Sequence, residues 1–69
     1  MMTLEFYDSE DVFGRIETEE DPDRIRALLM AYKQANIEDY NIDDFFEYLR
    51  NKNVDFTTIN IEADVKLYF

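Results

Sequence analysis

Residues 56–69 (FTTINIEADVKLYF) alternate without a break. Ile59, Ile61, Ala63, Val65, Leu67 and Phe69 share one phase, while Thr58, Asn60, Glu62, Asp64, Lys66 and Tyr68 share the other. Because strand side chains point alternately to opposite faces, this run demands a sheet with one apolar side. The rest of the chain has to fit that sheet. Read as one strand, the run would extend about 40 Å, far beyond anything else here that could pair with it. A three-residue turn at Glu62-Ala63-Asp64 would instead place Ile61 opposite Val65 and Ile59 opposite Leu67, keeping the apolar residues on one face. The hairpin is the preferred expectation, although no glycine marks its turn.

Two shorter strands are expected at the N-terminus. Residues 3–7 (TLEFY) set Leu4 and Phe6 against Glu5 and Tyr7, and residues 12–18 (VFGRIET) set Val12, Gly14 and Ile16 against Phe13, Arg15 and Glu17. The polar stretch 8–11 suits a hairpin loop of about four residues. Gly14 is the only glycine, and inside a strand it signals a bulge or a close approach. A helix crossing over it is the expected cause.

Between these sheet segments lie two helical patterns. Asp21 precedes Pro22 as a cap precedes the first helical position, and Ile25, Leu28, Leu29 and Tyr32 then form an apolar stripe. Ala27, Ala31 and Ala35 flank it and would permit close packing. Met30 is the odd residue, an apolar side chain among the charges of the wet side. The helix is expected to end near Ala35 or Asn36, with Asn36 left-handed. A second stripe, Ile42, Phe45, Phe46 and Leu49, runs to Asn51, with Asn53 as a left-handed terminator and Val54 folding back. Striped helices and one-sided strands give a two-layer α+β sandwich, in the order β-β-α-α-β or β-β-α-α-β-β. The expected sheet is small, of three to four strands, antiparallel or mixed, with the helices on one face and solvent or a partner on the other. Residues 1–69 are expected to form one domain.

Composition narrows the chemistry. The chain has no cysteine and no histidine, which removes disulfides, thiolate zinc sites, thiol nucleophiles and imidazole catalysis together. A small secreted domain usually carries disulfides, so a cytoplasmic setting is expected. No signal peptide is recognisable, and no apolar run reaches the roughly 18–20 residues that span a bilayer. Seventeen acidic residues against seven basic ones give a net charge of −10, which opposes direct binding to nucleic acid or anionic membranes.

Asp39, Asn41 and Asp43 have the spacing that opens a calcium loop. Such a loop needs glycine at its sixth position and glutamate at its twelfth; here those are Asp44 and Arg50. The better reading makes Asn41 a helix cap, with Asp43 and Asp44 in the first turn facing the positive end of the dipole. No metal and no cofactor is expected. With neither His nor Cys, and little volume for a pocket, catalysis is not expected either.

Two surfaces remain. On the outer sheet face Tyr7, Phe13 and Tyr68 share a phase, with Arg15, Lys66 and Glu5 between them. Aromatics with a charged rim are typical of protein interfaces. The acidic clusters at 8–11, 17–23 and 38–44 could instead imitate nucleic-acid phosphates before a basic protein. The chain therefore reads as a small acidic, non-enzymatic interaction domain with Tyr7, Phe13, Arg15, Lys66 and Tyr68 as its partner surface. The partner expected is a protein, basic by charge complement, or a second copy meeting it through the sheet. The alternative is a nucleic-acid-mimicking inhibitor of a basic DNA-binding protein, of the kind phages and plasmids carry.

Overall fold

The computed structural model describes residues 2–36 and 40–68. Along the chain come β1 (Met2–Asp8), β2 (Asp11–Thr18), α1 (Pro22–Ala35), α2 (Ile42–Asn51), β3 (Phe56–Thr58) and β4 (Val65–Tyr68). The fold is the expected α+β sandwich, with two helices on one face of a mixed sheet ordered β3-β2-β1-β4. The Cα radius of gyration is 11.0 Å, which matches the value of about 11 Å for a compact chain of this length.

Local grammar places both helices. The Asp21 carboxylate accepts the N–H of Asp23 at 2.8 Å, and Pro22 follows in the first turn. Asn41 Oδ1 accepts the N–H of Asp44 at 2.8 Å, so Asn41 is the cap that opens α2. Asp39 lies outside the described residues. At the end of α2, Asn53 is left-handed with φ 63°. Its N–H bonds the carbonyl of Arg50, and the N–H of Val54 bonds that of Leu49. This is the Schellman arrangement, and it folds Val54 into the core. Asn36 ends α1 differently from expectation. Its φ is −133°, and its side-chain Nδ2 donates to the Tyr32 carbonyl at 2.9 Å.

The core joins both layers. Leu4, Phe6, Ile16 and Leu67 from the sheet meet Ile25, Leu29, Tyr32, Phe45, Phe46 and Leu49 from the helices. Phe6 sits edge-on to Phe45, with ring centroids 5.3 Å apart, a favoured aromatic geometry. Ala27, Ala31 and Ala35, expected to pack closely, are exposed. Gly14 has the expected cause, a helix crossing over it, and a bulge beside it as well. A Cβ built there would lie 2.8 Å from Ile42 Cγ1, so α2 crosses directly above it. The β1–β2 ladder also slips beside it: Phe6 pairs with Gly14 and Tyr7 with Val12, leaving Phe13 as the extra residue of a bulge. That slip puts Val12 opposite Tyr7 on the outer face, away from Gly14 and Ile16, with which it was expected.

The tail departs furthest from expectation. It forms neither one long strand nor a hairpin. β3 pairs antiparallel with β2, and β4 pairs parallel with β1, at opposite edges of the sheet. Thr58, Ile16, Leu4 and Val65 fall in one row across the four strands. Residues 59–64 must therefore run back across the sheet to begin β4. Three strand spacings are only about 14 Å, which six residues can bridge. Asp64 donates its N–H to Thr3 Oγ1 at 3.0 Å, and Ala63 donates to the Glu5 carboxylate at 2.8 Å. Thr3 and Glu5 point away from the helices, so this segment is a strap over the outer face, which was expected to be open.

Candidate functional site

The strap divides the outer face. At one end it covers Glu5, which is only 1% exposed. A buried carboxylate needs partners in place of its lost water, and Glu5 has three. Tyr7 donates its hydroxyl at 2.6 Å, Ala63 its backbone N–H at 2.8 Å and Arg15 its Nε at 3.2 Å. Sheet register supplies this set, because Glu5 pairs with Arg15 across the β1–β2 ladder and Tyr7 is two residues along β1. The Tyr7 hydroxyl bond, then that of Ala63, then the Arg15 bond and charge lower the Glu5 pKa to about 2 against the opposing effect of burial. In return, the bond to Glu5 raises the Tyr7 pKa above its usual 10. The shifts favour an ionised Glu5 carboxylate bonded to a neutral Tyr7 hydroxyl. Its evident work is to hold strap, strands and Tyr7 together.

Beyond the strap the outer face is open. Tyr7 and Tyr68 pair across the parallel ladder, with ring centroids 5.4 Å apart. Lys66 Nζ lies 5.7 Å from the centroid of the Tyr7 ring, within reach of a cation–π contact. Tyr68 is 64% exposed. Four of the five residues expected at the partner surface are thus neighbours: Tyr7, Arg15, Lys66 and Tyr68. Phe13 is placed elsewhere, since it is half-buried and packs against the core cluster.

Among the described residues, grooves flank the sheet on two sides. One, of about 510 Å³, is bordered by Glu17, Glu19, Glu20 and Asp55 near the start of α1. The other, of about 470 Å³, runs between α1 and β4, with Leu29, Met30 and Leu67 beneath Arg26, Lys33, Lys66 and Tyr68. Met30, the misfit of the helix pattern, was the one sequence signal for this groove. Nothing in the sequence marked Glu5 as buried. Among the described residues no group of three Asp or Glu side chains is placed to hold a metal. No helix among them is long and apolar enough to cross a membrane. Comparison with protein-family models, curated proteins and solved structures finds no match.

Proposed function

We propose that the protein is a small acidic, non-enzymatic interaction domain that meets a protein partner through Tyr7, Lys66 and Tyr68. The observation that carries this reading is Tyr68, an aromatic ring left 64% exposed beside a second ring and a cation. Large amphipathic rings with a charged rim suit the centre of an interface, where they bury much area at little cost in conformational entropy. Arg15 stands at the rim, partly exposed and held by Glu5. Phe13 acts beneath the surface.

A basic DNA-binding protein as target is the second reading, favoured by the acidic groove at Glu17, Glu19, Glu20 and Asp55. Of the acids in the clusters expected to imitate phosphates, Glu38 and Asp39 lie outside the described residues. A homodimer through the sheet is a further form of the first reading, because β3 and β4 are both edges.

Capture from an extract of the source cells separates these readings. The tests are the wild-type chain, a Tyr68→Ala variant, and a variant with Glu17, Glu19, Glu20 and Asp55 changed to amides. A protein lost with Tyr68→Ala and kept by the amide variant supports the interaction domain. The reverse pattern supports the mimic, and capture of nothing by the wild type overturns both. Sedimentation at high micromolar concentration decides the dimer, which a monomer rules out.

A further inference from the structure

We propose that the groove between α1 and β4 receives an extended acidic segment of the partner, added as a fifth strand to the free edge of β4. This rests on the interaction-domain reading and departs from the basic partner expected from net charge, because the cations Arg26, Lys33 and Lys66 gather at this groove.

Three observations meet at this place. The first is the edge itself. β4 pairs with β1 on one side only, and among the described residues no strand covers the other. An uncovered edge presents backbone donors and acceptors at the spacing of an incoming strand. The second is the groove alongside it, floored by Leu29 and Leu67, with Met30 58% exposed on its helix side. Alternate side chains of an added strand would enter this groove, and the others would lie beside Tyr68 on the outer face. Apolar residues suit the groove phase.

The third observation is charge. The chain has only seven cations against seventeen acids, yet Arg26, Lys33 and Lys66 all border this groove. Arg26 has Asp23 at 3.3 Å as an exposed partner. Among the described residues no ion pair engages Lys33 or Lys66. Each lies instead over a ring, Lys33 at 5.6 Å from the centroid of Tyr40 and Lys66 at 5.7 Å from that of Tyr7. Cations that make no ion pair among the described residues of so acidic a molecule form a local complement to acidic residues. The same charges disfavour a second copy here. Antiparallel pairing of β4 with itself would set Lys66 opposite Lys66 or Tyr68, between two chains that each carry −10.

The test is a two-dimensional amide NMR titration of the full chain. The probe is a capped peptide of about nine residues alternating glutamate and valine, long enough to cover β4. Saturable shifts are expected at Val65, Lys66, Leu67 and Tyr68 and on α1 around Met30 and Lys33. The matching lysine–valine peptide should give none. Methylating alternate backbone nitrogens of the acidic peptide should weaken it by about tenfold or more, since strand addition needs those N–H groups. Met30→Asp, at an exposed position, should weaken it similarly while melting as the wild type does, and Lys33→Gln, at a half-buried one, should weaken it with at most a small change in melting.

Absence of shifts, equal binding of the lysine peptide, indifference to methylation, or shifts confined to another face overturns the proposal. So do concentration-dependent shifts at β4 without peptide, which would mark a second copy there. If the peptide fails while Tyr68-dependent capture of a cellular protein persists, the groove proposal falls and the interaction domain stands. If both fail, the interaction reading falls as well.

Discussion

The carboxylate of Glu5 accepts the backbone N–H of Ala63 at 2.8 Å, across 58 positions of sequence, and so fastens the strap to the sheet. Because the folded pKa of Glu5 lies near 2, below its ordinary 4.5, the bonds to its ionised form contribute stability at every pH above about 4.5. That contribution is lost as pH falls through this interval, since protonation removes the charge that Tyr7, Ala63 and Arg15 engage. Glu5→Gln should therefore be less stable than wild type at pH 7, and the gap should narrow as pH approaches 2. Urea midpoints measured between these pH values check it; a gap independent of pH would show that Glu5 acts through packing alone.

Gly14 makes a second prediction. Alanine there would place its Cβ 2.8 Å from Ile42 Cγ1 and 3.1 Å from Phe46 Cζ. Both side chains would have to shift to admit it, so Gly14→Ala should cost about 1–3 kcal/mol despite the better strand propensity of alanine. Shortening Ile42 removes the clash. In a cycle with Ile42→Ala, the two costs should fall short of additive by about 0.5 kcal/mol or more. Full additivity would mean that the crossing is looser than these distances require.

The hairpin between β1 and β2 turns through Ser9 and Glu10, because Asp8 already pairs with Asp11. Ser9 has φ 59°, a left-handed conformation that costs a non-glycine residue. Ser9→Gly relieves that cost but frees the unfolded chain, so the net gain should be about 0.5–1 kcal/mol. Thermal melting measures it. A loss of stability would show that the serine hydroxyl contributes more than its backbone costs.

These positions also show what could be read in advance. The stripes Ile25–Leu29–Tyr32 and Phe45–Phe46–Leu49, the caps Asp21 and Asn41 and the terminator Asn53 were legible because each depends on neighbours within one helical turn or two. Pairing in the tail was not. Alternation fixes which residues share a phase, and it says nothing about which strand lies alongside. Ile61, assigned by phase to the core, is 66% exposed because the strap turns across the sheet. Phase placed Tyr7, Lys66 and Tyr68 on one face, and the parallel pairing of β4 with β1, which phase did not give, made them neighbours. Phe13 was misplaced by a bulge, and one extra residue reverses every facing beyond it. Burial of Glu5 depended on the strap and was invisible for the same reason.

Tyr32 links the two helices, and its hydroxyl carries the final prediction. The hydroxyl lies 2.9 Å from the Asp44 carboxylate and accepts the N–H of Asn41 at 3.2 Å. One partner is the cap of α2 and the other lies in its first turn, where free N–H groups need acceptors. The ring itself packs 5.4 Å from that of Phe45. Tyr32→Phe keeps this packing and removes only the polar link, so it should cost about 1–2 kcal/mol. Asn41→Ala should cost about 1 kcal/mol by loss of the cap. Since the two substitutions damage the same helix start, their combination should cost less than the sum. Urea unfolding of the single and double variants measures the coupling. A strictly additive pair would mean that Tyr32 positions α2 by packing and that its hydroxyl contributes nothing to the helix start.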